Sequence, residues 1–441
     1  MFTSKDLKKL IIPLIFEQLL AVSVGFVDTF MVSIAGEAAV SGVALVDNIS
    51  NLLIQILSAL ATGGAVVCSQ YLGSRNINMS KKSAGQLIFI MSTLSSLLMV
   101  ISLIGNHGII NFIFGKIEKD VFESASIYFY ITAISYPFLG VYNAGAALFR
   151  SIGNSKISMN TSLIMNIINI CGNALFIFVF DMGVAGVAWA TFLCQGVSCV
   201  LSLWVVARRV RAVPSEGERV WFSWKMLGQI AVVAIPSILQ QSFVSVGNII
   251  IQSVVNSFGA SVIAGFAAAT KLNNVLISSL TTLGSGISNY ASQNLGAGKN
   301  ERVKAGFGAG VRLLGSICLC FTALYLLAGR QLLMLFMNSP TGEAINTGLT
   351  FLQTIAPFYL LLAFKLTSDG LMRGCGMMGR FMATTLSDLF LRVVLAMLFS
   401  RWLGVNGTWL SWPVGWFVGT VLSMVFYRTS IYRQAEEKTT L

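Results

Sequence analysis

Apolar runs recur along the whole chain, and this feature constrains the fold more than any other. Each run is about 20 residues long, enough for a helix to cross the hydrocarbon core of a bilayer. The twelve runs are 11–35, 44–72, 84–104, 126–148, 157–180, 184–207, 227–254, 262–292, 306–328, 349–372, 381–400 and 404–427. With 55% hydrophobic residues, 10% charged residues and a mean hydropathy of +0.78, the chain differs strongly from soluble domains. The sequence therefore predicts an all-α polytopic membrane protein with twelve transmembrane helices.

The basic residues are distributed unevenly between the connecting segments. With the N-terminus placed inside, 22 of the 29 Lys and Arg residues fall in the inner segments. This positive-inside bias predicts a multi-pass protein of the inner or plasma membrane with both termini in the cytoplasm, and it explains the net charge of +12 without nucleic acid. The basic start resembles a signal peptide, but the run that follows contains Pro13, Glu17 and Asp28 and is long enough to span, so we interpret it as an uncleaved first helix.

The chain contains an internal repeat with a constant offset, which is the distance along the sequence from Pro13 to Pro236. At this repeat offset, EQ at 17–18 matches QQ at 240–241, SQYLG at 69–73 matches SQNLG at 292–296, and LFRSIG at 148–153 matches LMRGCG at 371–376. Each half holds six spans, an even number, so both halves enter the membrane from the same side as parallel six-helix repeats. The predicted organisation is an N-lobe (1–207), a cytoplasmic linker (208–226) and a C-lobe (227–441). Two such bundles favour a transporter.

At these positions the chain resembles the MATE family of multidrug and toxic compound extruders, within the MOP superfamily. The resemblance rests on the repeated motifs above, on VDTFMVSIAG (27–36) and on GVAGVAWAT (183–191), and it covers essentially the whole sequence. It implies twelve helices in two six-helix lobes. It also implies efflux of bulky, often cationic, organic molecules in exchange for inward Na⁺ or H⁺.

Two acids in the first span have no basic residue near them in sequence. Ionisable groups at bilayer depth are costly, at about 2.5 kcal/mol or more, and usually have a partner or a function. Glu17 and Asp28 are eleven residues apart, so they share one face of a helix about 16 Å apart along its axis. For Glu17, the secondary acid of this stripe, a carboxyl group hydrogen-bonded near the inner interface is the alternative.

Polar residues of spans 5 and 6 complement Asp28. Asn169 and Asn173 are one helical turn apart, and Thr191 lies in span 6. A carboxylate, two amide oxygens and a hydroxyl supply hard ligands for an alkali cation, and a carboxyl group in apolar surroundings is also suited to carrying a proton. The alternative is that Asn and Thr simply bridge helices by hydrogen bonds.

The resemblance supports the first interpretation, residue by residue. Asp28 matches the acid on which ion coupling in the family depends, and Asn169 and Thr191 match the cation site of its DinF-like branch. The chain departs from that pattern at Asn173, where archaeal members have a second Asp. It also lacks an acid in span 7, where the NorM-like branch has a second-lobe site. We therefore expect coupling to rest on the N-lobe.

Other charged residues within the spans have less specific explanations. Asp47 and Lys271 lie at nearly equivalent places in the two halves and form a hypothetical gate pair, with an outer-end cap or interfacial snorkelling as the alternative. Helical spacing pairs Lys365 with Asp369, Asp369 with Arg373, and Asp388 with Arg392, which favours local ion pairs.

Residues near the ends and centre of the lobes complete the candidate set. Arg150 and Arg373 end spans 4 and 10 as inner anchors, with a lobe-closing role as the further hypothesis. Tyr136, Tyr142, Gln240 and Gln241 are candidates for the substrate cleft. For the two tyrosines, cation–π contact with a flat substrate competes with plain structural packing.

Nothing in the sequence indicates catalysis. The single histidine, His107, is expected in an outer loop, and no GxxxxGK[ST] motif occurs. The seven cysteines form no CxxC pair, so we expect neither a metal site beyond Na⁺ nor a cofactor. The predicted function is secondary active antiport of organic, cationic compounds against Na⁺ or H⁺, by alternating access between the lobes of a monomer in the lipid bilayer. The alternatives are a flippase for lipid-linked oligosaccharides and a non-coupled channel or receptor.

Overall fold

The computed structural model describes residues 4–34, 36–115, 117–212, 222–335 and 342–437, and helices make up nearly all of them. No strand occurs within these ranges. Helices are expected because, inside a bilayer, a helix satisfies its own backbone N–H and C=O groups. Among the described residues, ten helical segments are long and apolar enough to cross a membrane, and one bent pair of helices makes an eleventh.

The described residues of the first half form seven α-helices. They are α1 (Ser4–Ile34), α2 (Glu37–Gly73), α3 (Ile77–Phe114), α4 (Lys119–Ile134), α5 (Tyr136–Ser151), α6 (Ser155–Ala174) and α7 (Gly183–Ala212). The fourth predicted span is the bent pair, α4 and α5, whose axes differ by 51°. One turn of π-helix, Leu175–Val179, follows α6. The expectation that His107 lies in a loop is wrong, because α3 continues past it to Phe114.

The described residues of the second half form another seven. They are α8 (Trp224–Asn256), α9 (Ala260–Gly296), α10 (Asn300–Met334), α11 (Gly342–Ile355), α12 (Tyr359–Gly374), α13 (Met378–Leu403) and α14 (Val405–Glu437). A 3₁₀ turn at Ala356–Phe358 joins α11 to α12, so that the tenth predicted span is also built from two helices.

The chain forms two compact units, which we call the N unit (Lys9–Ala234) and the C unit (Ile235–Leu441, with Met1–Lys8). The division falls inside α8, directly before Pro236. Side chains of the N unit fix the start of this helix: Gln86 exchanges two hydrogen bonds with the backbone of Ser223, at 2.9 and 3.0 Å, and the Tyr71 hydroxyl donates to Gln229 at 2.8 Å. The lobe and linker boundaries from the repeat stay a prediction.

Turns at the same places in both halves have the same backbone conformation. Gly153 and Gly376 have φ angles of 81° and 77°, and Arg75 and Gly298 have φ angles of 60° and 70°. The residues of each pair are separated by the repeat offset. Because side chains rarely adopt positive φ, glycine is the ordinary choice, and Arg75 keeps the conformation without it.

A hydrogen bond between helices is also repeated. The Ser69 hydroxyl of α2 donates to the Ser151 carbonyl at 3.4 Å, and the Ser292 hydroxyl of α9 donates to the Gly374 carbonyl at 3.0 Å. Both serines are fully buried. The two units therefore use the same contact to join their second helix to their bent span.

A close helix crossing is built in opposite ways in the two units. Where α2 meets α3, Gly64 of α2 makes room for Leu87, and a Cβ at Gly64 would collide with that side chain. Where α9 meets α10, Gly310 of α10 makes room, and a Cβ there would lie 3.1 Å from Ile287. Small residues let membrane helices approach closely. Here the glycine has changed helices between the two copies.

The two cores differ in composition. The N unit packs aliphatic and small side chains such as Val46, Ala133 and Ala188 around single buried rings such as Phe129. The C unit packs rings: Phe266 stacks on Trp409 with centroids 5.0 Å apart, and Phe351 lies edge-on to both, at 5.2 and 5.0 Å.

Candidate cation-coupling site

Asp28 of α1 is held by two amides of α6. The Asn173 side-chain NH₂ donates to Asp28 Oδ1 at 2.8 Å. One polar end of the Asn169 amide lies 2.8 Å from Oδ1 and 3.1 Å from Oδ2 of the same carboxylate. We assign the NH₂ group to that end, because an amide oxygen would be repelled by an ionised carboxylate. The structure thus brings together three of the four residues predicted for this site.

The two asparagines belong to the buried face of α6. Asn169 and Asn173 are 7% and 0% exposed, whereas Asp28 is half-buried. One helical turn separates the two amides, and this spacing places both on the side that α1 covers. The π-helical turn begins two residues after Asn173. The acid therefore meets fixed, buried amides while part of its own surface stays accessible.

The arrangement suits a group that changes its charge. Each carboxamide has an NH₂ end that donates a hydrogen bond to a carboxylate and an oxygen end that accepts a hydrogen bond from a protonated acid or coordinates a cation. Rotating each side-chain amide by half a turn would replace its NH₂ group by its oxygen on the side that faces Asp28, and neither helix would have to move. Within the part of the chain that the structure describes, no ion pair involves Asp28.

Thr191 of α7, the fourth predicted residue, makes no hydrogen bond to Asp28 among those of the described residues. Its hydroxyl donates to the Val187 carbonyl of its own helix at 3.0 Å and interacts with the Tyr128 hydroxyl. Tyr128 of α4 donates to Asp47 at 3.4 Å. Thr191 is thus connected, through Tyr128, to a second acid rather than directly to Asp28.

Asp47 is closer to this group than the sequence indicated. It is exposed on α2 and interacts electrostatically with both Asp28 and Tyr128. The partner proposed for it as a gate, Lys271, is an exposed residue of α9 in the C unit. The gate pair stays a prediction.

Glu17 has its own surroundings toward the other end of α1. The Ser158 hydroxyl lies 3.1 and 3.0 Å from the two carboxylate oxygens, and Arg150 interacts with the acid electrostatically. Arg150, predicted as an inner anchor, therefore also faces an acid inside the N unit.

The aromatic candidates for a substrate cleft lie in the interior of the N unit. Tyr136 is 3% exposed, with its hydroxyl 3.5 Å from Ser50, and Tyr142 is 8% exposed. Gln240 and Gln241, in the C unit, are half-buried on α8. The cleft assignment of these four residues stays a prediction.

The C unit contains a buried cluster of charges on α12 and α13. Lys365 Nζ lies 3.0 Å from Asp369 and 3.7 Å from Asp388. Asp369 also accepts from Thr384 at 3.1 Å and from Ser423 at 2.6 Å. Helical spacing predicts the Lys365–Asp369 pair correctly.

Two other predicted pairs do not form ion pairs within the described residues. Asp388 has Lys365 of the neighbouring helix as its ion-pair partner. Arg392 instead lies 4.4 Å from the centre of the Trp412 ring, and its Nη2 donates to Asn248 of α8 at 3.4 Å. Arg373 stacks over Phe381, 5.6 Å from the ring centre.

Glycines of α14 make room for this cluster. A Cβ at Gly415 would lie 2.7 Å from Asp388 Oδ1, and a Cβ at Gly419 would lie 2.9 Å from the Lys365 side chain. These contacts enclose the charges with protein. Among the described residues, no group of three or more His, Cys, Asp or Glu side chains is arranged to hold a metal ion.

The sequence model of the MatE family matches this chain twice, at residues 13–175 and again at 236–398. The chain belongs to the MatE family. The two matched segments begin at Pro13 and Pro236, so their separation is the offset of the internal repeat. The protein is a transporter of this family, not an enzyme.

Relatives of similar length support this membership. The probable multidrug resistance protein YpnP of Bacillus subtilis is 26% identical over 427 residues, which cover 96% of this chain and 95% of that protein. A protein of Shewanella oneidensis named as an FAD transporter is 25% identical over 293 residues, covering 63% of this chain and 62% of that protein. The named relatives support a multidrug-type transporter of small organic molecules.

Solved structures share the fold. A MOP superfamily transporter from Pyrococcus furiosus superposes with a TM-score of 0.91 at 20% identity, covering 97% of this chain and 96% of that one. A MATE transporter in a bent conformation superposes with a TM-score of 0.90 at 20% identity, over 99% and 97% of the two chains. This MatE protein therefore has the all-α multi-pass membrane fold of twelve transmembrane helices in two parallel six-helix repeats.

Sequence reasoning missed two residues at the site, Tyr128 and Cys194. The Cys194 Sγ of α7 lies 3.8 Å from the Asn169 amide. A signal for Tyr128 was present in the repeat, because the equivalent residue of the second half is Phe351, which lacks the hydroxyl. Cys194 offered no such signal.

Proposed function

We propose that this MatE protein exports organic cations in exchange for inward Na⁺ or H⁺, with Asp28, Asn169, Asn173 and Thr191 as the coupling group. The observation that carries the proposal is a half-buried carboxylate held by two amides at 2.8 to 3.1 Å. Such a group can exchange a cation because each amide can bind Asp28 in both states. Its NH₂ group faces the carboxylate when no cation is bound, and its oxygen faces the cation or proton when one is bound.

Binding of the ion would change how α1 packs on α6. When Asp28 is ionised, the two NH₂ groups stabilise it. When a cation or proton neutralises it, the amide oxygens become the better partners, and the contact between the two helices changes. Alternating access and release of the bound substrate would follow from this change.

The substrate class follows from charge. Asp28 and Asp47 interact near one end of the N unit, and acids at such a place attract cations as long as no inorganic ion neutralises them. The multidrug names of several relatives fit a substrate class of this kind. Exchange then needs no second protein, because ion and substrate compete for the same negative charge.

The orientation in the membrane is part of the proposal. The excess of Lys and Arg in one set of connecting segments supports a cytoplasmic location for both termini. Asp28 would then lie in the outer half of α1 and Glu17 in the inner third.

The test is efflux of ethidium from vesicles under an imposed Na⁺ or pH gradient. Asp28→Asn should abolish gradient-driven efflux, because a neutral amide has neither the negative charge that attracts Na⁺ nor a group that takes up and releases a proton. Asp181→Asn is the matched control: Asp181 is exposed between α6 and α7 with a φ of 51°, which Asn adopts readily. Coupled efflux retained in Asp28→Asn would defeat the proposal, and gradient-independent flow in the wild type would favour a channel.

A further inference from the structure

Glu17 shares the first span with Asp28, and few side chains of the described residues contact it. The Ser158 hydroxyl of α6 is its hydrogen-bond donor, at 3.0 and 3.1 Å from the two oxygens. One hydroxyl carries one proton, so an ionised Glu17 has little hydrogen-bond stabilisation here. Among the described residues, the charged and titratable groups that face it are Arg150 and Tyr142, both from α5.

The simplest role for Glu17 would be to neutralise the charge of Arg150. The duplication tests that explanation, because Arg373 is the equivalent of Arg150 in the C unit. The position equivalent to Glu17 is Gln240, and the position equivalent to Ser158 is Phe381, over whose ring Arg373 lies at 5.6 Å. Arg373 thus has no acid at the first-helix position, and the acid that interacts with it is Asp369, one turn earlier on its own helix. The fold therefore does not require an acid on the first helix for this arginine, and experiments must separate a counter-ion role of Glu17 from a proton-binding one.

The two acids of the first span share this asymmetry. The part of α8 that corresponds to Asp28, VGNIIIQ at 246–252, also carries no acid. Motifs that shape the fold recur in both halves, including Pro13 with Pro236 and the Ser69 and Ser292 hydrogen bonds. Glu17 and Asp28 thus both occur in the N unit, and neither has an acid at the equivalent position of the C unit.

Polar groups inside the N unit lie between the two carboxyl groups. The Asn169 amide that contacts Asp28 lies 3.8 Å from Cys194 Sγ. Cys194 and Glu17 both lie near Tyr142, whose hydroxyl forms a hydrogen bond with Ser162. On its other sides, Asp28 faces Asp47 and the Tyr128 hydroxyl. Hydroxyl and thiol groups of this kind can pass a proton, whereas a thiol is a soft ligand that suits Na⁺ poorly.

We propose that Glu17 is a second proton-binding site, which accepts the proton that Asp28 gives up. The inference rests on the proposed function and extends it, since it makes H⁺ the coupling ion. In the step, the O–H bond of Asp28 breaks and an O–H bond forms at Glu17. Asp28 becomes a carboxylate again, Glu17 becomes neutral, and the net charge of the N unit is unchanged. Glu17 then releases the proton on the side where Arg150 lies.

The experiment measures protons as well as transport. Purified protein in weakly buffered detergent is mixed with ethidium, and a pH indicator reports the protons released per protein. We expect Glu17→Gln and Asp28→Asn each to release fewer protons than the wild type, and the double variant to release none. Glu343→Gln, at an exposed acid of α11, is the matched control and should release as many as the wild type.

Transport separates this inference from the proposed function. In vesicles, Glu17→Gln should bind ethidium normally but lose at least tenfold in pH-driven efflux, with a flattened pH profile, and Glu17→Asp should restore part of both. Loss of coupling in Asp28→Asn together with normal proton release and a normal pH profile in Glu17→Gln would overturn only the role of Glu17. Efflux driven by Na⁺ without proton release would do the same.

A structural role gives a different pattern. If Glu17 serves only to neutralise Arg150, Glu17→Gln lowers the melting temperature, and Glu17→Gln with Arg150→Gln restores both stability and efflux. That result would overturn the inference. Ser158→Ala keeps the acid and removes its donor, so a shifted pH profile in a variant of normal stability supports it even where Glu17→Gln does not fold.

Discussion

The two units place different chemistry at equivalent positions. Asn169, which faces Asp28 in the N unit, corresponds to Arg392 in the C unit. Each side chain reaches the first helix of its own unit: the Asn169 amide contacts Asp28 of α1, and the Arg392 guanidinium donates to Asn248 of α8. Where the N unit places a neutral amide, the C unit places a permanent cation.

The residues around Asn169 and Arg392 also differ: hydroxyl groups in the N unit are replaced by aromatic rings in the C unit. Gly183 and Gly404 lie at the starts of the last helices with φ angles of 54° and 59°, and a Cβ at Gly186 or Gly407 would meet Phe176 or Phe399. Gly183 with Gly404, and Gly186 with Gly407, therefore align α7 with α14. The number of residues between the members of each pair is slightly smaller than the repeat offset, and at this spacing Thr191 corresponds to Trp412. Trp412 lies under the Arg392 guanidinium, and Phe351 replaces Tyr128.

A duplicated fold can therefore keep its helix contacts while the chemistry of its two centres diverges. In the C unit, buried aspartates, Lys365 and an aromatic ring fix the charges permanently. In the N unit, amides and hydroxyls surround an acid that has no ion-pair partner among the described residues. Charge should therefore contribute to stability in the C unit and to transport in the N unit.

The largest expected effect is on C-unit stability. Lys365→Met leaves Asp369 and Asp388 buried without their shared cation and should lower the free energy of unfolding by about 3–5 kcal/mol. Denaturant unfolding in micelles measures it. Lys119→Met, at an exposed lysine 3.8 Å from Glu123, is the control and should change little. Equal losses in the two variants would mean that the buried cluster does not stabilise the C unit.

Converting the N-unit site to the C-unit pattern should stop transport. Asn169→Arg puts a permanent guanidinium beside Asp28, so exchangeable cations are displaced. We expect gradient-driven ethidium efflux to fall about a hundredfold, equivalent to about 2.7 kcal/mol. Size-exclusion chromatography checks folding, and Asn169→Gln, which keeps the amide, should lose less. Normal efflux in Asn169→Arg would show that the cation does not bind at this place.

The close helix crossings should respond to overpacking. Gly64→Ala drives a methyl group into Leu87 and should cost about 2 kcal/mol, and Gly310→Ala should cost a similar amount against Thr367 and Ile287. Adding Leu87→Ala to the first variant, or Ile287→Ala to the second, should return part of the loss. Thermal unfolding measures these differences. A second substitution that only adds further loss would argue against the collision.

The repeated serine bonds should give the smallest effect, and it should be nearly equal in the two units. Ser69→Ala removes the buried hydrogen bond to the Ser151 carbonyl, and Ser292→Ala removes a hydroxyl that is shared between the Gly374 and Ser288 carbonyls. Each change should cost about 1 kcal/mol. The double variant should lose the sum, because the residues lie in separate units. Thermal unfolding again provides the readout. A large difference between the stability losses of the two variants would indicate that the two hydrogen bonds share a geometry but contribute unequally to stability.

Patterns along a single helix could be predicted from the sequence. The spacing of Asn169 and Asn173 gave their common face, and the spacing of Lys365 and Asp369 gave their ion pair. The constant repeat offset gave the duplication, because matched motifs need no knowledge of packing. The pairs and faces depend only on helix geometry, which every membrane helix shares.

Contacts between helices were harder to predict. Asp388 was expected to pair with Arg392 of its own helix, but α12 brings Lys365 closer, and Trp412 attracts the arginine instead. The Tyr128 contact with Asp47 joins residues 81 positions apart. Helical periodicity tells which face a residue occupies but not which neighbour covers that face, so these partners depend on the tertiary arrangement.

The exchanged glycine at the helix crossing has a consequence for recombination between the two halves. If the middle of α9 replaced that of α2, an isoleucine would meet Leu87, and two large side chains would compete for one space. If the middle of α2 replaced that of α9, glycine would face Gly310 and leave a gap. Since the duplication, the helices of each half have therefore adapted to one another. A helix from one half can no longer replace its equivalent in the other half without a clash or a cavity.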